Sequence, residues 1–325
     1  MEFDMNILHI SQTPLVAAPS KVNQAINQYT SYKSECLILE DYNGNKKNKF
    51  INNAILYTDT SKKKIIDLIN QTDIIHIHNN INKDFIALLI KHTKNKDIKF
   101  IYQTHSYPKE GPLFFDRSLA MPFRFSKKLA VAQYQPRFHL DFVMVPNIIL
   151  QKPSFKPNYD KKIKIIYSPA QKNSGGRWST KYSKELNDTL DYFKNSKEVD
   201  IVDISGIHPN ELYQIRLNTD ITIDEISTGG FHQVSFEGLC AGNIVINGAD
   251  FISREIMKSI SKNKEYAPFV YARNRTIKEV LLKLIENREK LNQIKKESYN
   301  YFIENLQPEF LVKRYIEVYK KVLNV

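Results

Sequence analysis

The stretch STGGFHQVSFEGLCAGNIVING, residues 227–248, decides the reading of the fold. It follows the apolar run TDITID (219–224), which reads as a strand. Two adjacent glycines, Gly229 and Gly230, open a turn, and residues 231–241 then read as a helix with one acidic residue, Glu237. Gly242 ends that helix, and IVI (244–246) is a short buried strand. Strand, glycine turn, helix, glycine stop and strand make a βαβ unit of a parallel sheet. Glycines ahead of a helix N-terminus let backbone N–H groups approach a ligand, and the helix dipole there favours negative charge. The competing reading is an ordinary Rossmann-like turn with a solvated glutamate.

Outward from this unit, apolar strand runs alternate with amphipathic helical stretches along the whole chain, which argues α/β. The first half reads as strands at MNILHI, ECLILE, DIIHIH, IKFIYQTH and DFVMV, with helices over 20–30, 62–70 and 83–92. An irregular region separates IKFIYQTH from DFVMV. QKPSFKPNYDKK (151–162), rich in Lys and Pro and without periodicity, reads as a linker. The second half restarts with KIKIIYSPA, helix 180–195, strand VDIVDIS, helix 210–218 and the unit above. It continues with strand PFVYA, helices over 277–289 and 289–304, and the amphipathic helix PEFLVKRYIEVYKKVL.

The 325 residues, 42% hydrophobic, suffice for two α/β domains with separate cores. No apolar run approaches the roughly 20 residues that span a bilayer, and nothing reads as a signal peptide. Cys36 and Cys240 sit in apolar surroundings, so both read as packing residues of a reduced, cytoplasmic protein. No Cys/His cluster has metal-ligand spacing. The formal net charge of +12 has three competing causes: Lys-, Asn- and Ile-rich composition, attraction to an anionic membrane or phosphate-bearing acceptor, and nucleic acid. No helix-turn-helix, zinc-finger, RRM or KH signature supports the third.

Residues 227–248 resemble the donor-site signature of the group-1 glycosyltransferases, a retaining family with the GT-B fold. Its pattern is a Glu, seven residues, a second Glu, then small residues and Gly-x-Pro-Val. Glu237 matches the second Glu, which in the family holds the nucleotide ribose. Gly229 stands where the first Glu would be, in a Gly-Gly-Phe version of the loop. The resemblance extends to ILHISQTPLVAAPSKV at the first strand and its loop, where Ala17, Ala18, Pro19 and Ser20 replace glycines of many relatives. It includes DIIHIHNN, the VPN at 145–147 and the terminal helix from Gln307. It implies an acceptor-binding Rossmann-like domain over 1–152 and a nucleotide-sugar domain over 153–306. Residues 307–325 would pack back on the first domain, with the two domains facing a central cleft.

The same resemblance assigns chemistry. A nucleotide-sugar transferase must stabilise charge on a leaving diphosphate, and in metal-independent members Arg and Lys of the second domain do so. The loop QKNSGGRWSTKYSKE supplies Arg177 and Lys181, with Lys172 as the alternative for either role. Arg forks across two oxygens, whereas Lys acts as a point charge. His105, ending IKFIYQTH, is placed to bond a sugar hydroxyl; the alternative is a histidine satisfied at a strand end. His76 and His78 alternate with Ile and share one side of their strand, one structural and His78 reaching the cleft edge. Gly229, Gly230, Phe231 and His232 form the turn beside the donor sugar. No carboxylate is supplied at Gly229, so no general base is assigned, and no metal or cofactor is expected beyond the nucleotide sugar, a UDP-sugar foremost.

Between IKFIYQTH and DFVMV, aromatics (Phe114, Phe115, Phe123, Phe125, Tyr134, Phe138) mix with cations (Arg117, Arg124, Lys127, Lys128, Arg137). This suits a glycan or lipid-linked acceptor and contact with an anionic membrane. Buried helices with basic outer faces are the rival reading. The expected activity is sugar transfer in bacterial cell-surface polysaccharide synthesis. The alternatives are a GT-B nucleotide-sugar epimerase and a catalytically silent partner subunit.

Overall fold

The structure, a computed structural model, describes residues 4–44, 47–94, 96–105, 117–132, 137–159, 161–167, 181–202, 204, 207 and 209–325. The chain divides into two compact units, Met1–Leu150 with Pro308–Val325, and Gln151–Gln307.

The first unit is built on a parallel sheet of seven strands: β1 (Asn6–Ser11), β2 (Lys33–Ile38), β3 (Ile55–Leu56), β4 (Ile74–His78), β5 (Lys99–Thr104), β6 (Phe125–Val131) and β7 (Val143–Val145). Its order is β3-β2-β1-β4-β5-β6-β7, so the strand order reverses between β1 and β4. Helices α1 (Ala18–Tyr29), α2 (Lys62–Gln71) and α3 (Lys83–Thr93) connect the strands. Local chemistry starts α3: the Asn82 side chain accepts the Phe85 N–H at 2.8 Å, with Asp84 in the first turn and Lys91 and His92 in the last. One face of the sheet is an apolar core of Leu8, Ile10, Ile75, Ile77 and Tyr102.

The second unit has a five-stranded parallel sheet: β8 (Ile163–Tyr167), β9 (Val199–Val202), β10 (Ile221–Ile223), β11 (Ile244–Asn247) and β12 (Val270–Tyr271), in the order β12-β11-β10-β8-β9. Its helices are α4 (Lys184–Lys194), α5 (Pro209–Arg216), α6 (Gln233–Cys240), α7 (Phe251–Ile260), α8 (Ile277–Glu286) and α9 (Arg288–Asn305). Gly238 lets α6 lie close on the sheet: a Cβ there would fall 2.7 Å from Val245 Cγ2 and 3.1 Å from Thr222. Residues 151–162 belong to this unit by specific bonds. Ser154 N–H donates to Cys240 O at 3.0 Å, and Asn158 Nδ2 donates to Asp220 Oδ2 at 2.8 Å. The other Asp220 oxygen takes buried Lys295 of α9 at 2.5 Å, so an ion pair closes the network.

The last helix, α10 (Pro308–Leu323), returns to the first unit, as the fold class implies. Leu311, Val312, Tyr315, Tyr319 and Val322 form its buried stripe, and it packs beside α1. Tyr315 hydroxyl donates to Pro146 O at 2.9 Å.

Two elements depart from the sequence reading. Residues 125–131, expected as irregular chain or buried helix, form β6. Their aromatics are packed rather than presented: Phe123 stacks on Phe100 at 4.4 Å and Phe125 lies 5.7 Å from Tyr102, while Phe138 packs against Val131. Phe114, Phe115 and Tyr134 lie outside the described residues. Helix α7 was not expected, although Asp250 caps it by accepting the Ser253 N–H at 3.0 Å. Among the described residues no helix is long and apolar enough to cross a membrane.

Candidate functional site

In open α/β sheets ligands bind beyond the C-terminal ends of strands, where strand order reverses. The second sheet reverses between β8 and β10. The segment leaving β10 is Asp224 to His232, directly ahead of α6.

Two buried carboxylates shape this turn. Asp224 accepts the His232 N–H at 2.6 Å and the Ser235 hydroxyl at 2.7 Å, and meets His232 Nδ1 at 3.2 Å. Burial pushes its carboxyl up, but His232 and these hydrogen bonds win and hold it below the usual range. Glu225 accepts the N–H groups of Ser227 and Thr228 at 2.7 and 2.8 Å and the Thr228 hydroxyl at 2.5 Å. Gly229 then turns at φ 83°, a region open to glycine, and its carbonyl accepts Asp250 N–H at 2.9 Å and Ser253 Oγ–H at 2.8 Å. Tyr167, ending β8, has its hydroxyl pushed up to about 12 by burial and then by Glu225 and Asp224.

The expected site residues divide by location. Gly229, Gly230 and Phe231 are buried; Phe231 packs on Phe236 and Phe269 at 5.8 and 6.2 Å, so its ring is core. Ser227, Thr228, His232, Gln233 and Val234 form the partly exposed rim. Lys181 is half-buried, and the carbonyl of its neighbour Tyr182 accepts the Ser227 hydroxyl at 3.3 Å, so this loop end reaches the turn. Arg177 and Lys172 lie outside the described residues.

Glu237 has a partner that sequence did not suggest. Its carboxylate meets Arg216 Nη2 at 3.3 Å and accepts Gln233 Nε2 at 2.7 Å, with its side chain 15% exposed. Arg216 is fully buried and also donates to Thr222 Oγ1 at 3.2 Å. Burial pushes its guanidinium down, and Glu237 opposes that shift most strongly. Glu237 is therefore the counter-charge of a buried cation as well as a candidate hydroxyl acceptor. The pair is separated by 21 residues, and no motif marks Arg216.

The first sheet carries a second polar assembly where its order reverses. His9 of β1 and His76 of β4 are register partners, as are Ser11 and His78, and His78 and Gln103 of β5. Aligned positions on parallel strands share a face, here the one opposite the apolar core. His9, His76 and His78 are fully buried, which corrects the expectation that His78 reaches a cleft edge. His9 Nδ1 lies 2.9 Å from His78 Nε2, and His78 Nδ1 lies 2.7 Å from His105 Nε2. His76 Nδ1 instead meets Tyr319 hydroxyl of α10 at 2.9 Å. Burial, aided by His105, pushes His9 down to about 3, and burial pushes His105 to about 3. His76 and His78 are lowered by burial and by the neighbouring histidines. Only His105 is partly exposed, at the strand end, with its backbone N–H donated to Asn79 Oδ1 at 2.8 Å. One nitrogen each of His9, His76 and His78 lies within 4.8 Å of the others, a grouping invisible to sequence spacing.

Two parallel Rossmann-like sheets with a returning terminal helix define the GT-B architecture. No known protein-family model matches the chain, and no curated protein matches it by sequence. Solved structures do. The fold is similar to a sucrose-phosphate synthase from Thermosynechococcus elongatus (TM-score 0.55, 8% identity, 98% of this chain and 99% of that one). It is similar to S. aureus MnaA solved with UDP (TM-score 0.52, 12% identity, 98% of this chain and 97% of that one). A Listeria monocytogenes protein described as a UDP-N-acetylglucosamine 2-epimerase gives TM-score 0.52 and 11% identity over 98% of this chain and 96% of that one. At these identities the likeness is one of fold.

Proposed function

We propose that this chain is a glycosyltransferase using a nucleotide sugar, with UDP as the foremost nucleotide. The observation that carries the reading is the turn after β10. It lies where the sheet order reverses, bends at Gly229, and leads into the N-terminus of α6 with Glu237 in the helix. In the first turn of α6 the Ser235 N–H already donates to His232 O at 3.0 Å, which leaves those of Gln233 and Val234 as the groups a helix does not satisfy within itself. Asp224 already takes the His232 N–H, so this end of the helix is partly neutralised by the protein itself. The diphosphate charge therefore falls chiefly to cations of the loop ending at Lys181, with Arg177 and Lys172 the further candidates.

In the proposed reaction the bond from the sugar C1 to the diphosphate oxygen breaks as an acceptor oxygen bonds C1. The acceptor hydroxyl proton passes to the leaving phosphate oxygen. Cations and oriented N–H groups stabilise the developing phosphate charge, and His105 bonds the sugar. The acceptor is proposed to be a glycan or a lipid-linked sugar of the bacterial cell surface. Leu119 and Leu140, 81% and 82% exposed ahead of adjacent strands β6 and β7, stand with exposed Arg124 and Lys127 and support peripheral contact with an anionic bilayer.

A second reading, nucleotide-sugar epimerisation, is favoured by the fold likeness to the described 2-epimerase. Two measurements test the proposal. Thermal shift with UDP, UMP and uridine should give the largest rise for UDP, because a ligand that binds only the native state stabilises it. UDP-glucose and UDP-N-acetylglucosamine incubated without acceptor should not be epimerised. No stabilisation by any nucleoside diphosphate would sink the donor reading, and acceptor-free isomerisation would replace transfer with epimerisation.

A further inference from the structure

The series His9, His78, His105 has only two self-consistent hydrogen-bond patterns. In each N···N contact, 2.9 and 2.7 Å, one nitrogen carries hydrogen and the other is bare. A neutral imidazole has one N–H, so the choice at one ring fixes the next. In the outward pattern, His9 Nδ1–H donates to His78 Nε2, and His78 Nδ1–H donates to His105 Nε2. His105 then keeps its hydrogen on Nδ1. In the inward pattern, His105 Nε2–H and His78 Nε2–H donate down the series, and His9 carries its hydrogen on Nε2. Among the described residues, His9 Nε2 is buried and meets no hydrogen-bond partner. A buried orphan N–H is costlier and rarer than an underused acceptor. The outward pattern avoids that orphan donor.

We propose that His9 and His78 are positioning residues that hold His105 in its Nδ1–H form. His105 then meets a ligand at the end of β5 as a hydrogen-bond donor to a hydroxyl or phosphate oxygen, and not as a proton acceptor. That the ligand is a nucleotide sugar rests on the proposed function; the tautomer does not. The rival is a metal centre on His9, His76 and His78. A dication there would be enclosed by neutral imidazoles, with no carboxylate or thiolate joining the cluster among the described residues. It would also displace the 2.9 Å bond.

Two-bond proton–nitrogen correlation spectra of the full chain, 15N-labelled at histidine, at pH 7.5, report which nitrogen of each ring carries hydrogen. The expected result is Nδ1–H at His9, His78 and His105, dominant by about tenfold or more. His9→Asp places an acceptor opposite His78 Nε2 and should invert the series, moving the His105 hydrogen to Nε2. His105 as Nε2–H in the wild type overturns the proposal, and that spectrum decides even where the variant does not fold. An unchanged His105 tautomer in folded His9→Asp overturns the positioning role. Stoichiometric uptake of added Zn2+ that moves the His9, His76 and His78 signals installs the metal centre instead. Failure of the donor reading would appear only in the UDP thermal shift and would leave these tautomers as expected.

Discussion

Mild acid should destabilise the first unit, and the histidine array sets the size of the effect. The fold holds these imidazoles neutral, with burial as the first cause. Unfolded histidine titrates near 6.5, so below that pH the unfolded chain binds more protons than the native one. The stabilisation is therefore complete above the unfolded value and is lost as pH falls towards the folded one. His9 and His105, both pushed down to about 3, remain neutral at pH 5.5. Between pH 7.5 and 5.5 each loses about 1.4 kcal/mol, or about 3 kcal/mol together. His76 and His78 act with the same sign, taking the loss towards about 5 kcal/mol where both stay neutral. Domains have only about 5–15 kcal/mol in total. Urea unfolding followed by circular dichroism at pH 7.5, 6.5 and 5.5 measures the loss. Hydrogen exchange, corrected for intrinsic rates, should assign it to β1 and β4 and spare β10 and β11. Stability that is flat or rises on acidification from 7.5 to 5.5 would refute the reasoning.

Glu237→Gln keeps a hydrogen-bond acceptor for Arg216 but not its counter-charge, so it should cost less stability than Glu237→Ala, about 1–3 kcal/mol, and weaken UDP binding to the folded protein by about 1.5–3 kcal/mol, read by calorimetry. Glu237→Ala strands buried Arg216 and should cost about 3–5 kcal/mol of stability in urea unfolding. Val16→Gly should stabilise the protein by about 1 kcal/mol, since Leu15, Val16 and Ala17 all have left-handed φ, 48°, 55° and 63°; a lowered urea midpoint would contradict it. Lys181→Ala should weaken UDP binding more than uridine binding, and equal losses would remove Lys181 from the phosphates. Changing Arg124, Lys127 and Lys128 to Glu together should abolish salt-sensitive pelleting with anionic liposomes, each cation contributing about 1 kcal/mol near the surface. Equal pelleting of both proteins would count against membrane contact.

The alternation of strands and helices was legible because buried parallel strands read as apolar runs, as at IIHIH and ITI. The α/β class followed from that pattern, whereas the two-domain architecture and the returning terminal helix followed from the family resemblance. β6 was hidden because exposed Ser126 and Lys127 and partly exposed Lys128 interrupt FSKKLAV, so it has no continuous apolar signal. Its inner half, Leu129 to Val131, is buried. Helix α7 carried readable signals, an Asp250 cap and apolar Ile256, Met257 and Ile260, but follows β11 after only a short loop. The polar partners were illegible for a different reason. Arg216, the last residue of α5, meets Glu237 of α6 across 21 residues, and His9 meets His78 across 69 residues through strand register. Neither separation is a local period.

The two units bury polarity in opposite ways, and this bears on what each can do. In the second unit, Arg216 faces Glu237 and Lys295 faces Asp220, so charge is retained and paired inside. Removing one partner leaves an uncompensated charge, so a functional test at Glu237 must be read beside the stability of the same variant. In the first unit, the buried face of the sheet has imidazoles, Gln103, Tyr315 and Tyr319, all neutral in the fold. With no carboxylate bonded to the array among the described residues, a proton gained there meets no counter-charge. The array therefore suits hydrogen-bond orientation and not charge storage. His105, the member at the strand end, inherits that restriction. A group held at about 3 is a poor general base near neutral pH, because a base works best when its pKa is close to the operating pH. Transfer in which the leaving phosphate takes the acceptor proton asks for no protein base. A neutral His105 is compatible with that proposed route and would not serve one that needs an imidazolium.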